Sequence, residues 1–170
     1  SLSDKVFDAL QAGAVDFVAK PRNSDRAQLE SFLKTELPLK IKIASTARIS
    51  GIKKKTLDLA EHASVGLRGT DKDRNLMVAI GASTGGTEAI ASVIKEFGTD
   101  IPGVVIVQHM PAGFTQMYAK RLDDQCRVRV KEAETGDVVL PGQVLIAPGG
   151  DRHMRVVKVG NQYQVECKAG

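Results

Sequence analysis

Leu76-Met77-Val78-Ala79-Ile80-Gly81-Ala82-Ser83-Thr84-Gly85-Gly86 is the stretch that decides how this chain folds. Its first five residues are all apolar and leave no polar face for water, so they predict a strand buried on both sides. A glycine-rich turn follows, and a helix is predicted from Thr87 to about Phe97, stopped by Gly98. Pro102-Gly103 then introduces a second buried strand, Val104-Val105-Ile106-Val107, which ends at Gln108-His109-Met110-Pro111. The next helix is predicted over residues 113–123. Such strand–helix alternation implies parallel strands joined by right-handed crossovers. Farther on, Val128-Arg129-Val130 and Gln143-Val144-Leu145-Ile146-Ala147 read as strands, and Gly160-Asn161 is a two-residue hairpin signal between 153–159 and 162–167. The predicted class is α/β: a doubly wound, mostly parallel sheet with flanking helices and a small antiparallel hairpin.

Residues 1–37 have a different organisation. Ser3 is a candidate helix cap, Val6, Phe7 and Leu10 form an apolar face, and Gly13 supplies a stop. Ala14-Val15-Asp16-Phe17-Val18 reads as a short strand ending at Lys20-Pro21, where proline interrupts a ladder. Asp25 opens a second helix with Leu29, Phe32, Leu33 and Leu37 on one side. This piece cannot bury its apolar faces alone and reads as the tail of a larger α/β domain. Residues 38–75 mix Pro38, Gly51, Gly66 and Gly69 with Lys, Arg, Ser and Thr, which predicts a linker, partly helical around Lys54–His62. The expected division is therefore 1–37, a linker over 38–75, and a core domain over 76–170. There are no internal repeats.

Composition narrows the classes. The 170 residues are 42% hydrophobic and 26% charged, ordinary for a globular protein. Aromatics are only 4% and tryptophan is absent, so the core rests on Val, Ile, Leu and Ala. The net charge is +4, but the excess falls largely between Lys34 and Lys55, without interleaved aromatics. That pattern suits a solvated linker better than a nucleic-acid surface, so no nucleic-acid partner is expected. Cys126 and Cys167 lack metal-ligand or disulfide-framework spacing, and no long apolar run predicts membrane insertion. A reduced, cytoplasmic setting is expected. The chain opens on Ser-Leu-Ser without methionine, so the true N-terminus is expected to lie upstream.

Gly81-Ala82-Ser83-Thr84-Gly85 fits G-x-S-x-G between a strand and a helix. A nucleophilic serine has to project from a sharp turn, and flanking glycines relieve its crowding. The helix N-terminus beyond Thr84, Gly85 and Gly86 offers backbone N–H groups for an oxyanion. A phosphate-binding loop is the competing reading. A dinucleotide site, however, favours G-x-G-x-x-G and an acidic residue ending the second strand, and both are missing here. A purely structural turn also remains open.

His109 adds a second signal, because it ends the strand that follows the Ser83 helix. Neighbouring parallel strands lie about 5 Å apart, so both side chains would open onto one crevice at the carboxyl end of the sheet. An imidazole there can take the serine proton and return it to the leaving group. Taken alone, His109 would read more simply as a capping or surface residue. His153, beyond Pro148-Gly149-Gly150, is a candidate for lining the same crevice, as is Met110. Asp151 is the best in-chain candidate for an orienting carboxylate by strand topology, although a polar residue in a glycine-rich turn more often caps backbone. No His, Cys and carboxylate cluster has metal spacing, so no catalytic cofactor is expected.

The segments at residues 79–86, 107–111 and 146–154 together resemble the chemotaxis protein-glutamate methylesterases in order, spacing and strand context. Residues 9–21 resemble the last part of the response-regulator receiver domain that such enzymes carry at their N-terminus. The resemblance implies a cytoplasmic serine hydrolase acting on γ-glutamyl methyl esters of chemoreceptors, in many members also deamidating receptor glutamines. It implies Ser83 as nucleophile, His109 as base and Lys20 as the receiver's switch lysine. It also implies two partners, methyl-accepting chemoreceptors and a chemotaxis histidine kinase acting through the receiver. In the family the triad aspartate lies in a later M-G-x-D-G-like segment, which argues against Asp151 in that role. The phosphoacceptor aspartate, with the Mg²⁺ expected there, precedes the portion seen here. On this reading the chain is an internal fragment, expected to be nearly inactive alone.

Overall fold

The computed structural model describes residues 2–19, 26–47 and 76–170. The chain divides into two compact units, residues 1–61 and 62–170. Among the described residues, no helix is long and apolar enough to cross a membrane.

The first unit is helical. Helix α1, Leu2–Gln11, buries Phe7 and Leu10 on one face. It closes at Gly13, whose N–H donates to the Leu10 carbonyl at 3.0 Å. Ser3 falls within the first turn of the helix, a shift within the usual latitude of helix ends. Residues 14–19 form no strand, because a strand exists only through pairing and no ladder partner stands among the described residues. Lys40 instead reaches back over this stretch, bonding the Asp16 carboxylate and the Phe17 carbonyl, each at 3.1 Å. Helix α2, Arg26–Ser31, runs through a π-helical turn, Phe32–Glu36, into α3, Leu37–Thr46. Part of the predicted linker is thus helical: Pro38 directly follows the π-helical turn, where the Leu37 N–H reaches back five residues to the Phe32 carbonyl. Lys20, Pro21, Asp25 and the helix predicted over Lys54–His62 lie outside the described residues.

The second unit contains the parallel sheet. Strands β1 (Met77–Ala82), β2 (Gly103–Gln108), β3 (Arg129–Glu132) and β4 (Gln143–Ile146) stand in the order β1-β2-β4-β3, all parallel. Helix α4, Gly86–Lys95, joins β1 to β2, and α5, Phe114–Gln125, joins β2 to β3. Both crossovers step the same way across the sheet, so right-handedness puts both helices on one face. That face presents Val104, Ile106, Val144 and Ile146, all fully buried. Strands β5 (Arg152–Val159) and β6 (Gln162–Ala169) form the predicted antiparallel hairpin. It covers the other face, where Val105, Ala133, Leu145, Val165 and Cys167 make one buried cluster with Met77 and Met154 packed against it. On the same face, Ala79, Gly81 and Val107 stay exposed.

Candidate active site

The register of β1 and β2 runs from Met77↔Gly103 to Ala82↔Gln108. Ser83 and His109 are the next residue on each strand, and the His109 N–H donates to the Ala82 carbonyl at 3.2 Å. The two residues therefore leave the sheet side by side at its carboxyl edge, and both are exposed.

The turn at Ser83 is fixed by its carbonyl. That oxygen accepts the Gly86 N–H at 2.8 Å and the Gln108 side-chain amide at 2.9 Å. Gly85 then takes a left-handed conformation, φ +75°, as the residue that caps α4. Gly86 is required by a close approach: a Cβ there would lie 2.1 Å from Gln108 Oε1 and 2.7 Å from Ala82 Cβ. Thr84, Gly85 and Gly86 thus form the turn and the start of the helix, where the first N–H groups have no intrahelical acceptor. A developing negative charge beside Ser83 meets the positive end of α4.

His109 stands on a loop that is propped from behind. The Gly150 N–H donates to the Met110 carbonyl at 3.0 Å. Gly149 sits so close that a Cβ would come 2.5 Å from the Met110 oxygen and 2.7 Å from the Pro111 oxygen. Its N–H donates to Thr115 Oγ1 at 2.9 Å, and that hydroxyl bonds onward to the Glu132 carboxylate. Tyr118, buried one turn along α5, donates to the Thr87 carbonyl at 2.7 Å and so ties α5 to the start of α4. Burial, with smaller contributions from the charges of Glu88 and Cys126, pushes its phenol well above its ordinary pKa.

The other sequence candidates fall elsewhere. The Met110 side chain is buried in the core behind the loop. Asp151 is exposed beyond β4, and its carbonyl accepts the Gly170 N–H at 2.8 Å. His153 lies within β5 opposite Lys168, with its ring against Gly170. It therefore belongs to the hairpin rather than to the loop after β4. Lys20 lies outside the described residues. Among the described residues, no group of three or more His, Cys, Asp or Glu is arranged to hold a metal ion.

Sequence reasoning missed Gln108, Thr115 and Tyr118 as structural members of the site. Each carried a signal: a polar group in a position whose neighbours are buried. Gln108 closes an apolar strand, and Thr115 and Tyr118 share the face of α5 that buries Ala119 and Leu122. A separate groove of about 650 Å³, lined by Leu76, Val139, Leu140, Val159 and Tyr163 among others, opens at the opposite end of the sheet, remote from Ser83.

The family model CheB methylesterase matches residues 78–169. Among curated relatives, the protein-glutamate methylesterase/protein-glutamine glutaminase 2 of Syntrophomonas wolfei is 52% identical over 170 residues, covering 100% of this chain and 48% of that protein. The protein-glutamate methylesterase/protein-glutamine glutaminase of Sulfurimonas denitrificans is 46% identical, over 96% of this chain and 47% of that protein. The chain spans about half the length of the curated relatives it matches. Among solved structures, the CheB methylesterase catalytic domain of Thermotoga maritima is 40% identical with a TM-score of 0.53, over 55% of this chain and 50% of that one.

Proposed function

The chain belongs to the CheB methylesterase family, and from that premise we propose that Ser83 and His109 are the nucleophile and base of a protein-glutamate methylesterase. The proposed substrates are γ-glutamyl methyl esters on chemoreceptors, with receptor glutamines as a second substrate. What carries the reading is one observation: the two residues directly follow the last register pair of adjacent parallel strands, both exposed at the carboxyl edge.

The chemistry is acyl transfer. His109 takes the Ser83 hydroxyl proton as the oxygen attacks the γ-carbonyl, and the carbonyl π electrons move onto oxygen. N–H groups at the start of α4 stabilise that oxyanion. Collapse expels the methoxy group, which leaves as methanol with the proton from His109. Water, deprotonated by His109, then attacks the acyl-serine; the Ser83 oxygen leaves with that proton returned by His109, and the glutamic acid product ionises to its carboxylate. With a glutamine substrate the leaving group is ammonia. The carboxylate that orients His109 is proposed to come from a later M-G-x-D-G-like segment outside residues 1–170, as the family resemblance implies. In the natural-length protein, phosphorylation of the receiver by a chemotaxis histidine kinase is proposed to regulate the site, with Lys20 in the switch. A cytoplasmic location accords with these partners.

A fluorophosphonate probe tests the nucleophile on the natural-length protein. Labelling of the wild type, with both labelling and methanol release abolished in Ser83→Ala, is the expected result. Turnover retained in Ser83→Ala would sink the assignment, and saturable nucleotide binding without labelling would favour a phosphate loop.

A further inference from the structure

Gln108 is a polar residue where the sheet has least use for one. It ends β2 on the face covered by α4 and is only 6% exposed. Its Nε2 donates to the Ser83 carbonyl at 2.9 Å and lies 3.4 Å from the His109 carbonyl. Two carbonyls at one end of the amide identify that end as nitrogen. The other end, Oε1, is buried over Gly86 with no hydrogen-bond partner among the described atoms. An unsatisfied buried oxygen costs stability, and an apolar side chain of the same length would avoid that cost. The amide donor therefore needs a reason.

The peptide plane supplies one. In a trans peptide the carbonyl and the N–H of one unit point in opposite directions. The Ser83 carbonyl is held inward by Gln108 Nε2 and Gly86 N, so the N–H of the same unit, which belongs to Thr84, is turned outward to the side on which Ser83 is exposed. The N–H of the residue after a nucleophilic serine is the usual first donor to its oxyanion. From this we infer that Gln108 is a positioning residue that locks the Ser83–Thr84 peptide with its N–H directed at the oxyanion. The inference rests on Ser83 being the nucleophile. Gln108 touches no substrate in this scheme, and its effect passes through the Thr84 N–H. Gly86 belongs to the same device, since only a residue without Cβ leaves room for the amide.

The test is Gln108→Met in the natural-length protein, which keeps length and volume but removes the donor. The expected result is a fall in kcat of about 10- to 100-fold, less than the loss from deleting an oxyanion donor outright because the peptide is misdirected for only part of the time. KM is expected to stay within about twofold, because binding contacts are untouched. The melting temperature is expected to stay close to that of the wild type, because the unsatisfied oxygen leaves together with the Nε2 bonds to the Ser83 and His109 carbonyls. A kcat near the wild-type value overturns the inference, and so does a kcat loss matched by a raised KM and a lowered melting temperature. Should Gln108→Met not fold, Gln108→Asn, whose amide stops one methylene short, decides by the same split. Ser83→Ala serves as the control. If it stays active, the nucleophile reading itself fails; if it is dead while Gln108→Met is normal, only the positioning role fails.

Discussion

Thr115 is fully buried on α5, yet its hydroxyl works in both directions, accepting from the Gly149 N–H and donating to the Glu132 carboxylate. Replacing it with valine keeps the shape and strands both partners. A buried group left without its partner costs about 1–3 kcal/mol. In a unit of this size that lowers the melting temperature by about 4–8 °C for each kcal/mol. Thr115→Val should therefore melt several degrees below the wild type in a calorimetric scan, and an unchanged melting point would show that water replaces the hydroxyl. At this scale the sequence was most informative about Ser83, because G-x-S-x-G between a strand and a helix is a local pattern. It was silent on Thr115, since the partners of a hydroxyl are contributed by β3 and the loop after β4, neither of them near it in the chain.

At the scale of elements, the hairpin is held to the parallel sheet by side-chain packing and by backbone bonds from β6 to the β3–β4 connection, among them Gly136 N–H to the Val165 carbonyl at 2.8 Å and Val165 N–H to the Asp137 carbonyl at 2.9 Å. Leu145 on β4 is fully buried and meets Val165 and Cys167 of β6. Cutting it to alanine leaves a cavity that the paired strands cannot close, at a cost of about 2–5 kcal/mol. The urea midpoint of Leu145→Ala should fall accordingly with the slope preserved, while a shallower slope would mean that the hairpin unfolds separately. Period and turn signals revealed β1, β2, β4 and the hairpin, because each is decided by its own residues. They failed at residues 14–18, where apolar content suggested a strand but pairing decides whether one exists. They did not show that 38–46 is helical, because Pro38 reads as a breaker and the π-helical turn that precedes it leaves no signal in the sequence. That the hairpin packs on the sheet face opposite α4 and α5 was also beyond periodicity, which says how a strand alternates and not what covers it.

At the scale of the whole second unit, Tyr118 makes stability depend on alkaline pH. Its folded pKa is raised, chiefly by burial, above the ordinary value of 10.0. Below pH 10 the phenol is neutral in both states and contributes no slope. Above it, the unfolded chain loses the proton and the folded chain keeps it, so stability falls as pH rises, by up to about 1.4 kcal/mol per pH unit. Urea melts across that range should show a steeper decline for the wild type than for Tyr118→Phe, and equal declines would remove Tyr118 as the cause. The Tyr118 bond is one of several that lace the loops at the carboxyl edge together: the Ser83 turn to Gln108, the Met110 loop to Gly150, and Gly149 to α5. For protein engineering this means that the interval from Ala82 to Gly150 is inherited as a block. A recombination crossover inside it would set one parent's turn on another parent's supports, whereas junctions before Leu76 or in the hairpin tip leave the block intact.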